Sequence, residues 1–176
     1  MKILKITKAD LNKDNEYTGG AIGKWNEYED THVEIEANLG LVKFKAIYVK
    51  GYIFAKAGSG IEAGSGIEAG WGIEAGEGIK AGEGIKAGSG IKAGWGIEAG
   101  SGIVCKMSLS FSYKLFAGTA PWTNNATKTV TCGKLEKGTI AYGDLIETGL
   151  PEQKKDDATE NAIKLLKENG YKIIKE

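Results

Sequence analysis

Between Ala57 and Val104 the chain repeats one six-residue unit eight times without insertion, A-G-x-G-I-z, in which only x and z vary. Helix is disfavoured there, because glycine fills two of every six positions at a cost of roughly 1 kcal/mol each relative to alanine. A period of six is far shorter than that of helical repeats and suits a β-solenoid, where each unit supplies a short strand and a corner. Strand side chains alternate between faces, so Ile61 and Ala63 are expected inward and Glu62 between them outward. Gly64 and Gly66 then permit the tight corner.

The z position counts the units in one coil. It reads Glu62, Glu68, Glu74, Lys80, Lys86, Lys92, Glu98, Val104. If three units close a coil of about 18 residues, Glu62 stacks under Lys80, Lys80 under Glu98, Glu68 under Lys86 and Glu74 under Lys92. With two units per coil Glu62 would meet Glu74 and Lys80 would meet Lys92; with four, Glu74 would meet Glu98. Only the three-unit register avoids like charges on neighbouring strands, which are destabilising. Each exposed pair is worth about 0.2–1 kcal/mol, and together they select the register.

The repeat resembles the left-handed β-helix of hexapeptide-repeat proteins, in which an aliphatic residue starts each unit and three units make a turn. Ile61, Ile67, Ile73, Ile79, Ile85, Ile91, Ile97 and Ile103 carry the resemblance. That family usually places a small, inward-pointing residue four positions after the aliphatic one, whereas this chain has Ser65, Trp71, Glu77, Glu83, Ser89, Trp95 and Ser101 there. Tryptophan and glutamate do not both fit a narrow interior. Either Ala63 and its equivalents take the inward role or the cross-section differs. The expected fold is mainly β: a short triangular β-helix, with flanking β-strands and one C-terminal α-helix.

The organisation follows. Residues 1–34 form N-terminal strands and a cap, beginning with "MKILKI"; 35–56 are imperfect coils and 57–104 the perfect repeats; 105–150 are strands and turns; 151–176 are a C-terminal helix and closing strand. In the imperfect coils Ile35, Leu41, Ile47 and Ile53 recur every six residues, two extra residues precede Ile61, and the outward positions become Val42, Tyr48 and Phe54. Apolar residues facing out call for a cover. The alternation Cys105, Met107, Leu109, Phe111, Tyr113, Leu115 describes a strand too long for a six-residue corner, expected to leave the coil and to cap it or pair outside it. At the far end, Asp157 and Glu160 resemble a capping box, Ala158, Ala162, Leu165 and Leu166 share a helical face, and Gly170 stands at the C-cap. Solenoid ends need such covers, because an open end exposes strand edges and core.

Composition narrows the chemistry. Lys plus Arg and Asp plus Glu number 23 each, so no global field draws nucleic acid or an anionic membrane. The acidic run "NEYEDTHVEIE" reads as a solvated strand face or an acidic contact surface. No stretch reaches the ~18 apolar residues of a membrane span, and the N-terminus has no signal-peptide pattern, so a cytoplasmic protein is expected. Cys105 and Cys132 fit buried free thiols rather than a disulfide or zinc framework. No metal or cofactor is expected. "TGGAIGKW" (18–25) has Trp25 where a P-loop needs Ser or Thr, and reads as a glycine turn.

Acyltransferases of the hexapeptide-repeat family need a histidine base. The single histidine, His32, lies in "DTHVE", an ordinary strand pattern, and the perfect repeat has no insertion loops for substrate. A non-enzymatic role is therefore expected. Glu77 and Glu83 occupy the same unit position as Trp71 and Trp95, so the tryptophans are expected outward, where exposed aromatics act as binding hot spots. Trp71, Trp95, Glu77 and Glu83 are the candidate binding ladder, and Glu62, Lys80, Glu98, Glu68, Lys86, Glu74 and Lys92 the structural one. The expected function is a macromolecule-binding platform with a protein partner, compatible with a homo-oligomer. Small, neutral-to-acidic proteins with such modules are typical of phages and mobile elements, and this association points to an inhibitor of a host defence nuclease or ribonucleoprotein, of the anti-CRISPR kind. The alternatives are a phage or surface spike component and an acyltransferase.

Overall fold

The computed structural model describes residues 1–120, 127–151 and 165; of the described residues 55% are strand and 3% helical. Its paired strands run parallel and wind into a solenoid of about six turns with about 19 residues per turn. Three faces result. Face 1 stacks β1 (Lys2–Ile6), β2 (Thr31–Ile35), β5 (Ile53–Ala55), β8 (Ile73–Ala75), β11 (Ile91–Ala93) and the start of β14 (Ser108–Ala117). Face 2 stacks β3 (Gly40–Phe44), β6 (Ser59–Ala63), β9 (Ile79–Ala81), β12 (Ile97–Ala99) and the end of β14. Face 3 stacks β4 (Ile47–Val49), β7 (Ile67–Ala69), β10 (Ile85–Ala87), β13 (Ile103–Cys105), β15 (Thr129–Cys132) and β17 (Asp144–Glu147). The last turn runs along β16 (Lys134–Tyr142), which pairs with β14.

The register within the repeat is the 18-residue one. Ile61, Ile79 and Ile97 align in one column, as do Ile67, Ile85 and Ile103. Isoleucine and alanine both point inward and are almost wholly buried, so alanine takes the small interior place and x is freed to face solvent. Each buried isoleucine contributes about 1.5–3 kcal/mol. Of the predicted ion pairs, Lys92–Glu74 forms at 2.7 Å, Lys80–Glu98 at 3.6 Å and Lys86–Glu68 at 3.7 Å. Glu62 stands opposite Lys80, whose ammonium turns instead to Glu98.

The solenoid extends beyond the perfect block in both directions. The strand after Cys105 does not leave the coil. Leu109 and Phe111 enter the core on face 1, the chain bends at Ser112–Lys114, and Leu115 and Ala117 enter the core on face 2, repeating the Ile/Ala spacing with Leu in the isoleucine places and Phe111 in one alanine place. Upstream, Val33 holds the isoleucine place and Ile35 the alanine place. Val42 is inward, paired with Ile61, while Leu41 lies opposite Gly60 and is half-buried. The expected outward Val42 is thereby corrected: the chain reaches β3 through a longer corner, which shifts the apolar period by one. That corner carries Asn38 and Gly40 at positive φ, and Ser59 closes it from inside, accepting from Leu39 N–H and donating to Glu36 O. Tyr48 and Phe54 do point outward, and Tyr48 is covered by the rings of Trp25 and Tyr28.

Residues 1–30 cover the first full turn. β1 pairs with β2, Glu16 bridges Lys43 and Ile22 bridges Ile47, one contact for each face. The stretch 18–25 is a turn, with Gly20 and Gly23 at positive φ. Both cysteines are buried free thiols in the inward column of face 3, and burial pushes the Cys105 thiol up to about 12. The expected C-terminal helix and strand lie outside the described residues, apart from Leu165, which is helical. Among the described residues no helix is long and apolar enough to cross a membrane.

Candidate functional site

The x positions form three columns, one along each corner of the triangle, and backbone hydrogen bonds tie each column together. Trp71 N–H donates to Gly51 O at 3.1 Å and Ser89 N–H to Trp71 O at 3.1 Å; Glu77, Trp95 and Tyr113 form the next column, and Ser65, Glu83 and Ser101 the third. Side chains at x therefore project from a fixed ladder. Trp71 and Trp95 both point outward, 54% and 64% exposed.

The two tryptophans bound the same face. Trp71 precedes β8 at the corner where the chain enters face 1, and Trp95 follows β11 at the corner where it leaves. Six residues separate those corners along one turn, at most about 20 Å of extended chain. Glu77 lies directly before Trp95 in its column. Glu83 stands on the opposite corner, so the structure brings Trp71, Trp95 and Glu77 to the edges of face 1 and leaves Glu83 apart.

Each tryptophan has aromatic company. The His32 ring stacks on Tyr52 with centroids 4.1 Å apart and meets Trp71 at 5.1 Å; Tyr52 and Trp71 are 6.5 Å apart. On the other edge Trp95 lies 5.7 Å from Tyr113, which Lys114 overhangs at 5.6 Å. Tyr113 was legible as a neighbour, since it follows Trp95 by one 18-residue turn. Tyr52 precedes Trp71 by 19 residues, outside the strict period. His32 is held by this cluster: its Nδ1 accepts from Tyr52 N–H at 3.1 Å.

Along face 1 runs a shallow trough of about 830 Å³, lined from Glu34 on β2 to Glu136 on β16; it includes Gly72, which follows Trp71, but neither tryptophan. Its length is five strand spacings, about 24 Å. The floor is low because Gly72 and Gly90 have no side chains, and Tyr52 and Phe54 rise at one end. Tyr52 donates to Glu34 Oε1 at 2.6 Å, which raises the phenol's pKa; Lys92 donates to Glu74 at 2.7 Å, which raises that of the ammonium.

Face 3 carries a second, smaller groove of about 510 Å³ between Trp25 and Thr127. Beside it Tyr28 donates to Glu68 Oε2 at 2.5 Å, and this bond, with burial, pushes the phenol up to about 12. Among the described residues no group of three or more His, Cys, Asp or Glu is placed to hold a metal. The chain matches no family model, no curated protein and no solved structure.

Proposed function

We propose that this protein is a non-enzymatic binding platform that presents face 1 to a macromolecular partner. One observation carries the reading: two largely exposed tryptophans stand at the two corners of a single face, on a backbone fixed by interstrand hydrogen bonds. Large rigid aromatics lose little entropy on binding and dominate interface energies, whereas a soluble surface gains nothing from displaying them. The partner is a protein, with a nuclease or ribonucleoprotein complex of host defence as the class to test first. The platform itself is of the left-handed hexapeptide-repeat kind, supported by the isoleucine at each strand start and the three units per turn.

A pull-down from native-host extract, with wild type and a Trp71→Ala/Trp95→Ala double variant, tests this. Wild type should retain a specific protein that the equally folded double variant loses. Retention by the double variant, or no specific capture, refutes the reading. A trimer in solution that captures nothing would favour a spike component.

A further inference from the structure

We propose that the floor of face 1 recognises a linear, uncharged glycan, free or carried by a glycoprotein partner; this rests on face 1 being the contact surface. The trough combines the two things a saccharide needs. Tyr52 and Phe54 line one end of the trough and Trp71 stands beside Tyr52, centroids 6.5 Å apart, so that aromatic surface is at hand for the C–H face of a sugar; the Tyr52 ring is fixed by His32 stacked against it and by its hydroxyl on Glu34. Beyond them, Gly72 and Gly90 leave a low channel, bordered by the Glu74–Lys92 pair, Ser110 and Glu136. Carboxylates accept, the ammonium donates and the serine does both, so sugar hydroxyls find partners of either kind. These groups recur at the strand spacing of about 4.8 Å, close to the advance of a β-linked pyranose chain per sugar.

The same features disfavour other linear polymers. Glu34, Glu74 and Glu136 against Lys92 give the trough three carboxylates and one ammonium, which repel a phosphate or uronate chain. The floor strands β8 and β11 are paired on both sides, so no free backbone edge is available for an extended peptide to join.

Calorimetric titration of the full chain with hexasaccharides of β-1,4-linked glucose and β-1,4-linked N-acetylglucosamine tests the proposal, with a hexauronate as the charged control. At least one neutral hexasaccharide should bind, and the hexauronate should bind more weakly. Trp71→Ala should lower the affinity about tenfold or more. Glu136→Gln, an exposed isosteric change that leaves packing untouched, should weaken it severalfold. No binding of either neutral hexasaccharide to the folded protein overturns the inference, as does a hexauronate that binds as tightly, or binding that neither variant alters. Capture from extract separates the sources: loss of capture after enzymatic deglycosylation places the glycan on the partner, and hexasaccharide binding without any captured protein supports a free glycan and refutes the protein-partner reading. Capture that persists after deglycosylation and is lost with Trp71→Ala, while no hexasaccharide binds, refutes the glycan and leaves the platform standing.

Discussion

The two glycines of A-G-x-G-I-z are not equivalent, and a matched pair of alanine substitutions should separate them. A Cβ on Gly82 would overlap the carbonyl oxygen of Gly64 one turn earlier; Gly88 stands in the same relation to Gly70, Gly94 to Gly76 and Gly100 to Gly82. A Cβ on Gly78 would lie 3.4 Å from the nearest atom, the Gly96 carbonyl oxygen, an ordinary contact. Neither residue is at positive φ, so the difference is one of space alone. The turns are held together at these corners by bonds such as Gly82 N–H to Ala63 O at 2.9 Å and Gly100 N–H to Ala81 O at 3.0 Å. Making room for a methyl at 82 forces the corner open and loses about two such bonds. Overpacking at ~1–3 kcal/mol and ~0.5–1.5 kcal/mol per hydrogen bond give a destabilisation of about 2–6 kcal/mol. For a chain of this size that is roughly 5–20 °C in Tm. Gly78→Ala should instead stabilise by about 0.4–1 kcal/mol, by restricting the unfolded chain. Urea and thermal unfolding followed by circular dichroism read both. Equal effects of the same sign, or a neutral Gly82→Ala, would refute the close-approach argument.

The charge ladder and the N-terminal cover yield two further predictions. Replacing Lys80, Lys86 and Lys92 together by Glu turns three ion pairs into repulsions, and should destabilise by about 1–3 kcal/mol at low salt; the loss should shrink markedly in 1 M salt, and a salt-independent loss would mean that packing rather than charge was disturbed. Tyr28→Phe removes the bond that pins residues 22–30 to Glu68, and should cost about 1–2 kcal/mol at pH 7. The unfolded phenol ionises near pH 10 and the folded one near 12, so the wild-type advantage is full below pH 10 and declines from 10 to 12. Tm measured for both proteins from pH 7 to 11.5 checks this, and a difference that stays constant with pH would contradict it.

The repeat was legible because its rules are local. Periodic isoleucine and alanine mark the inward columns, and the order of Glu and Lys at z fixes three units per turn without reference to anything distant. Legibility failed where Leu replaced Ile and the corner glycines were lost. Leu109, Phe111, Leu115 and Ala117 keep the spacing of the coil, but Ser112, Tyr113 and Lys114 at the bend lack the glycines that advertise a corner elsewhere. It failed again at β3, where a longer corner moved Val42 into the place that strict counting gives to Leu41. Of the binding ladder, the outward direction of Trp71 and Trp95 followed from the glutamates that share their position. Their convergence on face 1 needed the order of the corners, and the Tyr52–His32 cluster needed the irregular first turns.

The irregularity itself distinguishes the faces. A solenoid of identical units presents three equivalent faces, and nothing in the constant residues A, G, G and I distinguishes one from another. Face 2 has Lys80 and Glu98 in its outward column, and face 3 has its first turns roofed by Trp25 and Tyr28. Face 1 differs because the imperfect coils put His32, Tyr52 and Phe54 where later turns have Gly72 and Glu74, while the perfect repeat supplies the low floor beside them. A floor of glycines alone would be a featureless channel, and a run of aromatics alone would bury itself. At their junction, with a tryptophan at each corner of the face, a rigid ladder, an open trough and exposed aromatic rings come together.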